Sequence, residues 1–115
     1  MLYATLKIGE QEYKGRLNAR NCVALEQKLG RNPLTIFTSL EGNALPSLSD
    51  LLTVLHFALT ELNHNVNADT VYDIYDKFCD EGGNIVALIN YLLEVFKVSG
   101  FIPEDAKDTK NKRKN

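Results

Sequence analysis

The sequence predicts a mainly α protein of the α+β class: an N-terminal β-hairpin over residues 2–17, followed by a bundle of about five helices. Three observations lead there. Apolar and polar residues alternate on both sides of Gly9-Glu10, the period of strands with one buried face. From residue 18 onward, apolar residues recur at helical spacing in runs separated by Gly, Pro and Asn, which punctuate helices. Most of these runs open on a residue suited to capping a helix.

In the hairpin, a two-residue Gly9-Glu10 loop places Gly first, as a type II′ turn prefers. That register sets Ile8 opposite Gln11, Leu6 opposite Tyr13, Ala4 opposite Gly15 and Leu2 opposite Leu17. All eight then share one face, and Tyr3, Thr5, Lys7, Glu12, Lys14 and Arg16 share the other. A lone hairpin is marginal in water, so its apolar face must pack on the helices.

The first helix is expected to be capped by Asn18 and to end at Leu29 before Gly30. Cys22, Val23, Leu25, Glu26 and Leu29 form its narrow stripe. A short second helix takes Asn32 as cap and Pro33 as first residue, carries Leu34, Phe37 and Leu40, and stops at Gly42. Pro46 closes the connection. Ser47 followed by Asp50 is a capping-box variant that opens the third helix. Leu48, Leu51, Leu52, Leu55, Leu59 and Leu62, widened by Val54, Phe57 and Ala58, mark this as the central helix. The fourth runs over 68–80 with Asn67 as cap and Val71, Ile74, Tyr75 and Phe78 inward. Gly82-Gly83 ends it. Asn84 caps the fifth, whose inward residues are Ile85, Leu88, Ile89, Leu92, Leu93 and Phe96. Gly100 ends that helix and Pro103 prevents its continuation. These elements make one globular domain over 1–103. The remaining residues, 104–115, have no large apolar side chain to bury and are expected to be disordered.

At 115 residues, with 44% hydrophobic and 24% charged content, the chain suits a single modest core without disulfides or metal. Its apolar runs are amphipathic, against a membrane span. The N-terminal residues lack a basic segment followed by an apolar run, so the expectation is cytosolic, with no membrane partner. The net charge of −2 is uneven: residues 104–115 carry five basic and three acidic side chains, the body eight basic and twelve acidic. An acidic body argues against a nucleic-acid partner. Cys22 and Cys79 each fall on the apolar side of a predicted helix, as small buried hydrophobes do, and no CxxC suggests redox work.

A search for catalytic or metal chemistry finds none. His56 and His64 are eight residues apart, about 12 Å of rise on one helix, too far to share a zinc ion. His56 reads as packed or flanking surface and His64 as solvated. Gly82-Gly83 has no following Lys-Ser/Thr and no preceding strand, so it is a helix stop rather than a phosphate loop. No cofactor, metal or catalytic residue is expected, and the chain is not read as an enzyme.

One pattern stands above this background. Asp69, Asp73, Asp76 and Asp80 are spaced four, three and four apart and form one acidic stripe on a helix. Lys77 is the only nearby cation on that helix. The stripe is either the solvated face of an amphipathic helix or a docking surface for a basic partner, where it would steer association.

The stretches "LEQKLGRNPL", "LPSLSDLLTVLHFAL", "VYDIYDKF" and "LLEVFKVSGFIP" resemble the small tail assembly chaperones of long-tailed phages and prophages of Gram-positive bacteria. The resemblance extends from the hairpin to about Pro103, and it rests on caps and core positions. It implies a protein that binds the tape measure protein, keeps that long helical chain soluble, helps recruit tail tube subunits, and stays in the host bacterial cytoplasm rather than in the mature virion. It supplies no residue-level site. It also implies that a longer form made by ribosomal frameshifting is common. Thr109-Lys110-Asn111 and Arg113-Lys114-Asn115 are each encodable over the slippery heptamer A-AAA-AAC. A lysine-rich solubilising tail explains the same residues. The rival function is a structural tail or head–tail connector subunit retained in the virion, using a free hairpin edge; that edge also leaves room for self-association.

Overall fold

A computed structural model describes residues 2–102 of the chain. Two antiparallel strands, β1 (Ala4–Ile8) and β2 (Gln11–Gly15), are followed by helix α1 (Ala19–Leu29), a 3-10 helix (Pro33–Gly42), and helices α2 (Leu48–Thr60), α3 (Thr70–Asp80) and α4 (Ile85–Val98). The expected hairpin and five helices are present. The segment expected to be disordered, 104–115, and Pro103 lie outside the described residues.

The hairpin register is the predicted one: Ala4 pairs Gly15, Leu6 pairs Tyr13 and Ile8 pairs Gln11. Gly9 has φ +60°, as the first position of a type II′ turn requires. The ladder stops before the expected fourth pair. Leu17 is fully buried, whereas Leu2 is 66% exposed. The reason is that the chain after β2 turns into the core: the Arg16 N–H donates to Ala58 O at 2.9 Å and the Leu17 N–H to Ser99 Oγ at 2.8 Å. Nothing on that side remains for Leu2 to pair with.

Side-chain caps set the starts of the α-helices. Asn18 Oδ1 accepts from the Asn21 N–H at 2.8 Å, Ser47 Oγ from Asp50 N–H at 3.1 Å, and Asn84 Oδ1 from Ala87 N–H at 2.9 Å. Each substitutes for a missing intrahelical acceptor and stabilises by about 1 kcal/mol. Regular helix in α3 begins at Thr70, two residues later than predicted, yet Asn67 still caps it: its Oδ1 accepts from the N–H groups of Asp69 and Thr70 at 2.8 and 2.9 Å. The second helix is 3-10 rather than α. Thr35 and Thr38 turn their hydroxyls back onto the carbonyls of Asn32 and Thr35, and such back-bonding competes with α geometry. Its buried residues are Pro33, Ile36 and Phe37; Leu34 and Leu40 are only partly covered.

The core lies between the inner face of the hairpin and the helices, with α2 at its centre. That helix touches β2, the 3-10 helix and each of the other three α-helices. Leu51, Val54, Leu55 and Leu59 of α2 meet Leu25, Leu88, Leu92, Val95 and Phe96, all essentially without exposure. Each fully buried Leu or Phe contributes about 1.5–3 kcal/mol from burial. Phe37 stands edge-on to Phe96 at 5.8 Å between ring centroids, a favourable aromatic geometry.

Besides Leu2, three apolar helix residues assigned inward from periodicity lie outward. Val23 is 52% and Leu48 40% exposed, and Cys79 is exposed. Helical spacing fixes an angle around the axis but not whether a neighbour reaches that far along it. Leu48 opens α2 beyond its flanking elements, and Cys79 sits in the last turn of α3. Cys22 is buried as expected, and both thiols are free. No helix among the described residues is long and apolar enough to cross a membrane.

Candidate functional site

The acidic stripe sits on α3, and both ends of that helix are firmly fixed. At the start, Thr70 Oγ1 accepts from the Asn67 N–H at 2.9 Å while Asn67 Oδ1 accepts from Thr70 N–H, a reciprocal cap. At the end, Gly82 has φ +97°. The Gly83 N–H reaches Phe78 O at 2.8 Å and the Gly82 N–H reaches Cys79 O at 3.1 Å. This is a Schellman closure, and it needs a residue tolerant of the left-handed conformation. A Cβ on Gly83 would stand 2.5 Å from the Phe78 ring, so the second glycine is required for space.

Val71 and Ile74 are buried and hold α3 against the body, assisted by half-buried Tyr75 and Phe78. The helical phase then sends Asp69, Asp73, Asp76 and Asp80 outward, and all four are exposed. Among the described residues none of these carboxylates forms an ion pair; the two ion pairs that occur are Arg16–Glu61 and Arg31–Asp50. Lys77, the nearby cation, does not reach them. Among the described residues the stripe is therefore a ridge of charge of one sign with no ionic partner. Beside it, burial pushes the Tyr75 hydroxyl up to about 12, helped by a hydrogen bond and negative charge from Cys79 and by the Asp76 carboxylate.

A groove borders the ridge on each side. One, about 520 Å³, runs between α3, the α2–α3 connection and the hairpin, lined by Gln11, Tyr13, Asn63, Asp73, Ile74 and Lys77 among others. Its walls carry both charges and several amides. The other, about 340 Å³, runs between α3 and α2 and includes Leu52, His56, Phe57, Val71 and Tyr72, with Lys28 at its rim. Its walls are more apolar, and the Tyr72 ring above it is 60% exposed. Burial, followed by the Lys28 ammonium, pulls the His56 imidazole below its usual value. Its ring lies 5.3 Å from that of Phe57.

Tyr72 is the residue that sequence reasoning missed. It falls off the Val71, Ile74, Tyr75, Phe78 stripe, and a large aromatic on the outer side of an otherwise well-phased helix was the available signal. His56 lies on groove-lining surface as expected, and His64 is exposed. No group of three or more His, Cys, Asp or Glu is placed to hold a metal ion among the described residues. Chemically, the ridge and the more apolar groove offer an aromatic anchor, a short apolar floor and a negative border, which suits the apolar face of a helix flanked by basic residues.

The model of a family of unknown function, DUF6096, matches residues 2–115. Neither a curated protein nor a solved structure matches the chain.

Proposed function

The chain belongs to the DUF6096 family of unknown function, and from that premise we propose that it is a non-enzymatic tail assembly chaperone that binds the tape measure protein. In this reading it coats exposed apolar stretches of that long helical chain, keeps them soluble and helps recruit tail tube subunits. It works in the host bacterial cytoplasm and leaves before the virion is complete.

The observation that carries the reading is the α3 ridge. Four exposed aspartates, without ionic partners among the described residues, lie beside a groove with an exposed Tyr72 at its edge. A small groove and solvent-screened charges give modest affinity per copy, which is what repeated, displaceable coating of a long helix needs. The resemblance of the "LEQKLGRNPL", "LPSLSDLLTVLHFAL" and "VYDIYDKF" stretches to tail assembly chaperones supports the same conclusion.

Co-expression with the tape measure protein encoded in the same genome tests it. The expected result is a soluble tape measure protein that co-purifies with several copies of this chain. An insoluble partner with nothing co-purifying overturns the reading. The second reading, a structural tail or head–tail connector subunit, draws on the open edge of β1. Mass spectrometry of purified particles separates the two, because the chaperone is expected to be absent from them.

A further inference from the structure

We infer that β1 is a self-pairing strand: it joins β1 of a second copy of this chain, antiparallel about Thr5, to form a four-stranded sheet across a two-fold axis. The inference goes beyond the chaperone reading and does not rest on it.

The two edges of the hairpin are treated differently. The β2 edge is closed by the body of the protein. Lys14 N–H donates to Asn63 Oδ1 at 3.3 Å, Asn63 Nδ2 donates to Lys14 O at 2.7 Å, and Arg16 N–H donates to Ala58 O. Even-numbered residues of β2 thus direct their backbone groups away from β1. Thr5 pairs with Lys14 and Lys7 with Glu12, so by antiparallel alternation the N–H and C=O groups of Thr5 and Lys7 also point away from the partner strand. The same phase extends to Tyr3. No acceptor or donor among the described residues meets them, and all three residues are exposed. Proteins normally protect such an edge with Pro, bulges or several charges. Among the described residues the protection here is Lys7 alone.

The sequence of β1 selects the occupant. A two-fold at Thr5 sets Thr5 against Thr5 and Tyr3 against Lys7 of the other copy. All are outward-pointing positions, so they become hydrogen-bonded pairs. The Tyr3 ring already accepts an ammonium, with Lys14 Nζ at 5.2 Å from its centroid, and an opposing Lys7 suits the same chemistry. A two-fold at Lys7 would oppose two ammonium groups, which is unfavourable. One at Tyr3 would use only the start of the strand. The Thr5 register also brings Leu2, which is 66% exposed and lies outside the hairpin ladder, opposite Ile8 of the second copy on the core side. The shared strand is short, so the dimer belongs to the weak, concentration-dependent class.

Sedimentation velocity on the full chain, from micromolar to millimolar concentration, tests the pairing. The expected result is a monomer–dimer equilibrium. Thr5→Pro removes only an outward N–H, so the hairpin ladder survives while two inter-copy bonds are lost; dimerisation is expected to weaken about tenfold or more. Thr5→Glu faces Lys14 within its own hairpin but opposes itself across the axis, and has the same expected direction. Should either variant lose its native circular dichroism, a cross-linking pair decides instead. In a Cys79→Ser background, Thr5→Cys sets the two cysteine Cα atoms about 5.5 Å apart, within the Cα range of disulfides, whereas Lys7→Cys leaves them about 14 Å apart. Cross-linked dimer from Thr5→Cys and not from Lys7→Cys supports the register. A monomer at every concentration, a dimer indifferent to both Thr5 variants, or equal cross-linking at the two positions overturns the inference.

Discussion

Gly15→Ala is expected to destabilise the protein by about 2–4 kcal/mol. In an ordinary strand the same change stabilises slightly, by restricting the unfolded chain, and Gly15 has no positive φ to complicate the comparison. At this site, however, the new Cβ would lie 2.2 Å from Tyr91 Oη, 3.2 Å from its Cζ and 3.3 Å from Val95 Cγ2. Val95 is fully buried and cannot retreat, so the Tyr91 ring must move. That ring is itself 8% exposed, and its hydroxyl donates to Ala4 O at 2.8 Å. Moving it strands a buried hydroxyl, at about 1–3 kcal/mol, and forces overpacking, at about 1–3 kcal/mol. Denaturant unfolding of the wild type, Gly15→Ala, Tyr91→Phe and the double variant measures the pair. Tyr91→Phe removes the atom at 2.2 Å, so the double variant should recover more than half of the Gly15→Ala loss. A Gly15→Ala protein as stable as wild type, or one that Tyr91→Phe leaves unimproved, refutes the account of how α4 receives the hairpin.

Replacing both Asp73 and Asp76 with Lys should leave stability within about 0.5 kcal/mol of wild type, as exposed sites do, while abolishing co-purification of the tape measure protein; unchanged capture removes the ridge from the proposed interface. The lowered pKa of His56 means the unfolded chain binds the imidazole proton more readily than the folded one. Its contribution to stability is therefore flat above about pH 6.5 and falls as pH drops below that value toward the folded-state pKa. Unfolding measured at pH 7.5 and 5.5 should show a smaller drop for His56→Gln than for wild type, and an equal drop would assign the acid sensitivity elsewhere. With Cys79 exposed and Cys22 buried, where burial and then Glu26 push the Cys22 thiol up, a thiol reagent should label one cysteine of the native protein at once and the second only on unfolding. Two equivalents reacting together would contradict the packing of α1.

Much of the architecture is legible because its signals are local. Asn18, Ser47, Asn67 and Asn84 each cap the helix assigned to them, since an N-cap needs only a short polar side chain two or three residues before the N–H it satisfies. The hairpin register is legible because a type II′ turn and a period-two apolar face agree on one pairing. What escapes is what depends on neighbours in space. Leu2, Val23, Leu48 and Cys79 carry the right phase, but covering them requires another element at the right height. The aspartate stripe is legible as spacing; that it lies between two grooves and forms no ion pair among the described residues follows only from how α3 rests on α2. Tyr72 becomes visible as an anchor for the same reason.

The Tyr91 bond to Ala4 and the Ser99 bond to Leu17 join positions 87 and 82 residues apart. They bear on the order in which the molecule is completed as it is made. The hairpin and the first helices are synthesised early, and α2 can meet β2, but the β1 side of their shared face stays uncovered until α4 arrives. At ordinary translation speeds the wait from Ala4 to Tyr91 is on the order of 4–17 s, vastly longer than a hairpin or helix needs to form. Throughout that interval the nascent chain displays the part of its hairpin's apolar underside that α4 will cover. The closing step is long-range and therefore slow for a domain this small, and a chain halted before α4 is left open at the surface that the finished protein conceals best.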